Sequence, residues 1–214
     1  MTTSPDLTDA NAALANASPA DIIRWGREQA DGRMIISTNF RPYEAVLLHM
    51  AVQEAPDIPV LWVDHGYNTP GTYKCAEALI DRLKLNVKLY IPARTAAHRD
   101  TVLGGIPTLD DEAKHDAFTE EVKLEPFRRG MKELAPTVWL TALRRVQNPN
   151  RETMDIASRT GDGVIKLCPV LSWTDEQMQS YIDEHDLPNE FNYYDPTKVL
   201  EKRECGLHLD SARL

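Results

Sequence analysis

RMIISTNFRPYEAVLLHMAVQEAPDIPVLWVDHGYNTPGTYK, residues 33–74, reads as one pattern written twice. RMIIS at 33–37 is a short apolar run that suits a buried strand, STNFRPY a polar turn, and the residues after Pro42 a helix with apolar side chains at helical spacing. PVLWV at 59–63 opens the second copy, DHGYNTPGTYK is its loop, and residues 72–84 its helix; NVKLY at 86–90 is a third strand. Strands separated by helices of this length are parallel strands joined by crossovers, buried on both faces. The expected fold class is therefore α/β: one domain with a mostly parallel sheet flanked by helices, and ligands at the carboxyl ends of the strands.

Working outward, Ser18 can cap a helix that has Pro19 at its first position and Asp21 in its first turn, running to about Ala30 before Asp31-Gly32 stops it. Residues 1–17 have no strong periodic face and read as a loose arm or an irregular helix. Downstream, residues 93–120 read as irregular with one short helix at 95–103, KLEPFRRGMKEL as a helix starting near Pro126, and TVWL at 137–140 as a strand. Residues 164–167 are a further short strand, and Thr174 begins a T-x-x-Q capping box before an amphipathic helix. The expected organisation is an arm at 1–17, a nucleotide-binding α/β domain at 18–190 and a C-terminal tail at 191–214 that carries chemistry.

Composition narrows the function. A formal net charge of -9 disfavours a broad nucleic-acid or anionic-membrane surface, although a local cationic pocket stays open. Neither a signal-peptide pattern nor an apolar run of bilayer-spanning length is present, so the expectation is a cytoplasmic protein. Cys75, Cys168 and Cys205 are far apart and odd in number, which fits a reducing compartment better than a disulfide framework or a structural metal.

Candidate chemistry sits in the strand-end loops and the tail. Ser37, Thr38 and Asn39, with the free N–H groups of the following helix, suit an anion; the alternative is a hydroxyl-rich capping turn. Arg144, Arg145 and Arg151 follow a strand, where planar guanidinium groups match phosphate and sulfate oxygens; the alternative is a solvated face. KRECGLH at 202–208 places Cys205 beside Lys202 and Arg203, positive charge of the kind that lowers a thiol pKa, with Gly206 permitting a close approach. A nucleophilic thiolate on a mobile tail is the working reading, against a buried core cysteine. His65 and His208 read equally as satisfied polar side chains or as direct participants.

Taken together these motifs resemble the sulfonucleotide reductase family, most closely its 3'-phosphoadenylyl sulfate branch without an iron–sulfur cluster. ECGLH at 204–208 resembles the terminal catalytic motif, ISTNF at 36–40 the phosphate loop, VDHGYNTPGTY at 63–73 the D-x-G-Y segment, and VKLEPFRRGMKEL at 122–134 the K-x-x-P region. WLTALRRVQNPNR at 139–151 and IKLCPVLSWTDEQMQSYI at 165–182 resemble the segments that follow, in family order over about residues 19–208. The resemblance implies an adenine nucleotide alpha hydrolase-like (ATP pyrophosphatase-like) fold and attack by Cys205 on a sulfonyl sulfur. It implies Ser37, Thr38, Asn39 and Arg41 in the phosphate loop, Asp64, Gly66 and Tyr67 lining the cleft, and Arg144 and Arg145 on the anionic groups. Lys202 and Arg203 would orient the tail, with His208 near the nucleotide.

The same resemblance implies thioredoxin or glutaredoxin as the external reductant and admits a homodimer. Relatives that use adenylyl sulfate bind a [4Fe-4S] cluster through cysteine pairs; here the matching regions read DAFTEEVKLEP and YYDPTKVLEKREC, so no bound cofactor is expected. Two departures stand out. Asn39-Phe40-Arg41-Pro42 replaces the family's S-F-G turn, so that Arg41 either meets an extra phosphate or marks altered substrate choice, and the segment between Tyr194 and Cys205 is short. An adenylyl sulfate reductase lacking a cluster, an ATP pyrophosphatase-like nucleotidyltransferase and a nucleotide-binding regulatory protein are the alternatives.

Overall fold

The computed structural model describes residues 5–108 and 110–198. Among them, β1 (Met34–Thr38), β2 (Pro59–Val63), β3 (Asn86–Tyr90), β4 (Val138–Leu140), β5 (Ala157–Arg159) and β6 (Ile165–Leu167) form one sheet in the order β3-β2-β1-β4-β6-β5. All neighbours are parallel except β5, which runs antiparallel to β6 at the edge. β5 was not expected: ASR has neither an apolar run nor clear alternation, and it is a strand because β6 offers it a ladder.

Successive residues of the central strands feed opposite faces, as a pleated strand buried on both sides requires. Ile36, Val60, Trp62 and Val138 enter the larger core, with the helices α2 (Pro19–Gln29) and α3 (Glu44–Glu54). Ile35, Leu61, Val63 and Trp139 enter the smaller one. The latter is closed by α7 (Glu125–Leu134), whose Gly130 lies so near the sheet that a Cβ there would stand 2.9 Å from both Leu61 and Tyr90. Any larger residue there would have to displace the Leu61 or Tyr90 side chain, so glycine is favoured by contact and not by backbone conformation.

The expected helix starts hold where a cap dictates them. Ser18 and Asp21 form a capping box on α2, and Thr174 and Gln177 form another on the helix Asp175–His185. Residues 70–83 begin their helix (Pro70–Leu83) two residues earlier than expected, because the Thr69 hydroxyl caps it and Pro70 fills the first turn. The amino-terminal arm contains a regular helix, Leu7–Leu14, capped by Asp6 and tied to β5 by Asn11, whose side-chain amide exchanges two 2.8 Å hydrogen bonds with the Ala157 backbone.

Residues 93–120 are more helical than expected. Ala96–Leu103 is the anticipated short helix, but Glu112–Thr119 is another, and it runs through a π-helical turn, Glu120–Leu124, directly into α7. Pro126, read from sequence as a helix start, lies inside this rod. The widened π turn accommodates a residue that has no N–H to donate, and such turns often mark functional sites.

The chain steps from β1 outward to β2 and β3, then returns to place β4 on the other side of β1. Connections therefore diverge at the carboxyl ends of β1 and β4, which opens a crevice there.

Candidate active site

A partly open cavity occupies that crevice, with about 550 Å³ of space including its mouth. Its floor is apolar, built from Leu61, Val63, Phe127 and Trp139 of the smaller core. Ser37, Thr38, Asn39 and Arg41 form one wall, Thr141, Ala142 and Leu143 beyond β4 another, and Lys123 and Lys198 bring two further cations. An apolar floor beneath convergent polar groups is the usual make-up of a small-molecule site.

The turn after β1 is organised by a residue that sequence reasoning did not single out. Glu44, buried at the start of α3, turns its carboxylate back into the turn: Thr38 Oγ1 donates to Oε2 at 2.7 Å and the Asn39 N–H at 2.8 Å, while Arg41 Nε donates to Oε1 at 2.8 Å. The signal available was a glutamate on the first helical position after a polar turn, where the helix dipole favours negative charge. Ser37 Oγ accepts from Trp139 Nε1 at 2.8 Å, which pins β1 to β4 across the floor. Phe40 takes φ 51° without being glycine and is buried edge-on against Trp62 with centroids 4.8 Å apart, so packing holds a left-handed conformation that costs of the order of 1 kcal/mol or more.

The opposite rim is set by Lys123, in the π turn. Its buried ammonium donates to Asp195 Oδ2 at 2.5 Å and to Thr197 Oγ1 at 3.2 Å, and Thr197 donates both its N–H and its hydroxyl to Asp195 Oδ1. Burial would raise the Asp195 carboxyl, but the Lys123 charge and these hydrogen bonds outweigh it and hold it well below the usual carboxylate range. His115 Nε2 lies 3.2 Å from the Pro196 carbonyl, which fixes the neighbouring backbone. Residues 195–197, within the segment read from sequence as the C-terminal tail, are thus buried. Lys123 lay within the quoted K-x-x-P motif; its partner lies 72 positions away, which no local pattern reveals.

The sequence matches a family model described as "Phosphoadenosine phosphosulfate reductase domain" over residues 33–193. The chain belongs to this family. It is 35% identical to the phosphoadenosine 5'-phosphosulfate reductase of Synechococcus sp., over 96% of this chain and 98% of that one. The enzyme of the same name from Xylella fastidiosa is 34% identical over 95% and 94% of the two chains. Among solved structures, phosphoadenylyl-sulfate (PAPS) reductase from Candida auris, a phosphate complex, superposes with a TM-score of 0.75 at 22% identity, covering 88% of this chain and 90% of that one. FMN adenylyltransferase from Candida glabrata has a TM-score of 0.56 at 14% identity, over 85% of this chain and 58% of that one, and shares the fold alone.

Within this phosphoadenosine phosphosulfate reductase fold, several residues singled out from sequence stand outside the cavity wall formed by the described residues. Asp64 organises its own loop, accepting from the Gly66 N–H, Asn68 Nδ2 and the Tyr73 hydroxyl, each at 2.9 Å; Gly66 takes φ 82°. Tyr67 donates its hydroxyl to Asp100 at 2.9 Å and accepts from the buried Arg99 at 3.4 Å. His65 is buried, and its Nδ1 accepts the Tyr67 N–H at 3.0 Å, which leaves the proton of the neutral ring on Nε2. Burial pushes its pKa down to about 4.

Arg144 is buried as well. Its guanidinium donates to Asp175 Oδ1 at 2.6 Å and to the Trp173 carbonyl at 3.2 Å, and lies over the Tyr43 ring. Arg145 donates to the Met154 carbonyl at 2.8 Å, and Arg151 to Gln147 Oε1. Burial raises the thiol pKa of both Cys168 and the half-buried Cys75, so neither is a ready nucleophile. Cys205, Lys202, Arg203 and His208 lie outside the described residues. Among the described residues no group of histidine, cysteine or carboxylate side chains is placed to hold a metal ion, and no helix is long and apolar enough to cross a membrane.

Proposed function

We propose that this chain reduces 3'-phosphoadenylyl sulfate to sulfite and adenosine 3',5'-bisphosphate with a dithiol reductant of the thioredoxin or glutaredoxin type, in sulfate assimilation. The observation that carries the reading is the position of Lys198: it lines the cation-bearing cavity at the switch point, and the chain runs on from it to Cys205 within KRECGLH. Family membership and the names of the relatives support the same substrate.

In this reading the Cys205 thiolate attacks the sulfonyl sulfur. A sulfur–sulfur bond forms, the sulfur–oxygen bond to the phosphate breaks, and adenosine 3',5'-bisphosphate leaves with the electron pair. Arg41, Lys123 and Lys198, with donors of the Ser37–Thr38–Asn39 turn, stabilise the charge growing on the departing phosphate. Lys202, Arg203 and His208 act from the tail. One reductant thiolate then attacks Cys205 Sγ and expels sulfite with the bonding pair; the second reductant thiol resolves the mixed disulfide, returning Cys205 reduced and the reductant as a disulfide. Asp64, Gly66, Tyr67, Arg144 and Arg145 frame the loops around the cleft. No resident cofactor takes part, and the enzyme works as a cytoplasmic protein.

Intact-mass measurement after separate incubation with the phosphorylated and unphosphorylated sulfonucleotides tests this. The expected result is one sulfonate gained with the phosphorylated compound and none in Cys205→Ser. Gain with only the unphosphorylated compound overturns the substrate, and no gain with either overturns the chemistry.

A further inference from the structure

We infer that the buried Lys123–Asp195–Thr197 cluster is a positioning clasp, which fixes the root of the C-terminal segment at the cavity rim and so sets how often Cys205 meets bound substrate. The inference rests on the function proposed above. Three observations converge on it. The ion pair is almost fully buried on both sides, with side-chain exposures of 2% and 3%. Its lysine lines the cavity, in a π turn that interrupts the helical rod, while its carboxylate belongs to the chain just before it leaves for Cys205. The bonds from Thr197 to Asp195 and the His115–Pro196 contact hold three consecutive residues, so the chain is gripped at a point and in a direction.

Chain geometry gives the consequence. Cys205 is eight residues beyond Thr197, which limits its reach from the clasp to at most roughly 30 Å and puts its concentration at the cavity in the millimolar range. Upstream of the clasp, among the described residues, the Asn192 carbonyl is held by Thr69 Oγ1, which donates to it at 2.7 Å. Without the clasp, the sequence separation between the anchored point and Cys205 grows from eight to thirteen residues. Effective concentration falls with about the −3/2 power of connector length, so length alone slows the encounter about twofold, and loss of the fixed departure direction slows it further.

The clasp also predicts effects of opposite sign. Asp195 neutralises a cavity-lining cation, so Asp195→Asn leaves Lys123 with more unbalanced positive charge toward an anion in the cavity. The variant is expected to bind adenosine 3',5'-bisphosphate as tightly as the unmodified chain or more so, by calorimetry, while single-turnover S-sulfonation of Cys205 slows threefold or more. A role confined to folding would weaken both together. Proportional loss of binding and rate therefore overturns the inference, as does an unchanged rate. Thr197→Val keeps both charges and serves if Asp195→Asn does not fold: about a twofold slowing with unchanged nucleotide binding supports the clasp, and an unchanged rate refutes it. Failure of the unmodified chain to become S-sulfonated refutes the proposed function instead, so the two readings fail separately.

Discussion

The turn after β1 and the turn after β4 leave the sheet on either side of the same crevice, and both carry arginine, yet they use it differently. Arg41 lines the cavity with Ser37, Thr38 and Asn39, and its carboxylate partner Glu44 lines the cavity too. Arg144 is closed into the fold by Asp175, Trp173 and Tyr43, and Arg145 is held by a backbone carbonyl. The loop after β2 resembles the second case, with Asp64 satisfied by its own loop and His65 buried. A strand-end position therefore brings a charge to the neighbourhood of a site, and only its partners decide whether that charge meets solvent or ligand.

The largest expected effect tests how closed the β2 loop is. His65 has a folded pKa of about 4 against an ordinary 6.5, so the unfolded chain binds more protons between those values. Its contribution to stability is complete above pH 6.5 and is lost as pH falls toward 4, by roughly 3 kcal/mol in all. Denaturant midpoints across that range should fall more steeply in the unmodified chain than in His65→Asn; equal slopes would mean that the ring is not buried neutral. Next comes the arginine contrast itself. Arg144→Met should lower unfolding free energy by about 2 kcal/mol while changing nucleotide affinity less than about threefold, because it loses charged hydrogen bonds made inside the fold. Arg41→Met should do the reverse, weakening adenosine 3',5'-bisphosphate binding about tenfold, as expected for one charge-assisted contact. Calorimetry and denaturation on the same two variants would invert the comparison if Arg144→Met proved the binding mutant. The smallest effect is at Glu44. Glu44→Gln removes a negative charge from the cavity wall, and inorganic phosphate should bind about threefold more tightly; weaker binding would show that the carboxylate matters more for shaping the turn than for opposing anions.

Much of the fold was legible because local chemistry settles it. Ser18-Pro19-Asp21 and Thr174-Gln177 fix helix starts through hydrogen bonds within one turn, and the MIIS and PVLWV runs have no other economical use than buried strands. The misses share a cause. β5 exists because β6 is beside it, the Glu112–Leu134 rod continues past Pro126 because a π turn absorbs it, and the arm folds as a helix against the Ala157 backbone. In the site, the loop after β1 was found from its donors, but Glu44, which accepts from them, was not.

By itself the sequence determined the α/β class, the parallel core strands, the family motifs and the presence of one cysteine in a cationic terminal heptad, since each depends on residues close together in the chain. Tertiary structure decided which of the strand-end charges face the cavity, that Glu44 satisfies the turn after β1, and that Lys123 grips Asp195 where the chain departs for Cys205. The physical reason is that burying a charge is costly unless a partner is supplied, and here the partners come from elements far apart in sequence that only the folded sheet brings together.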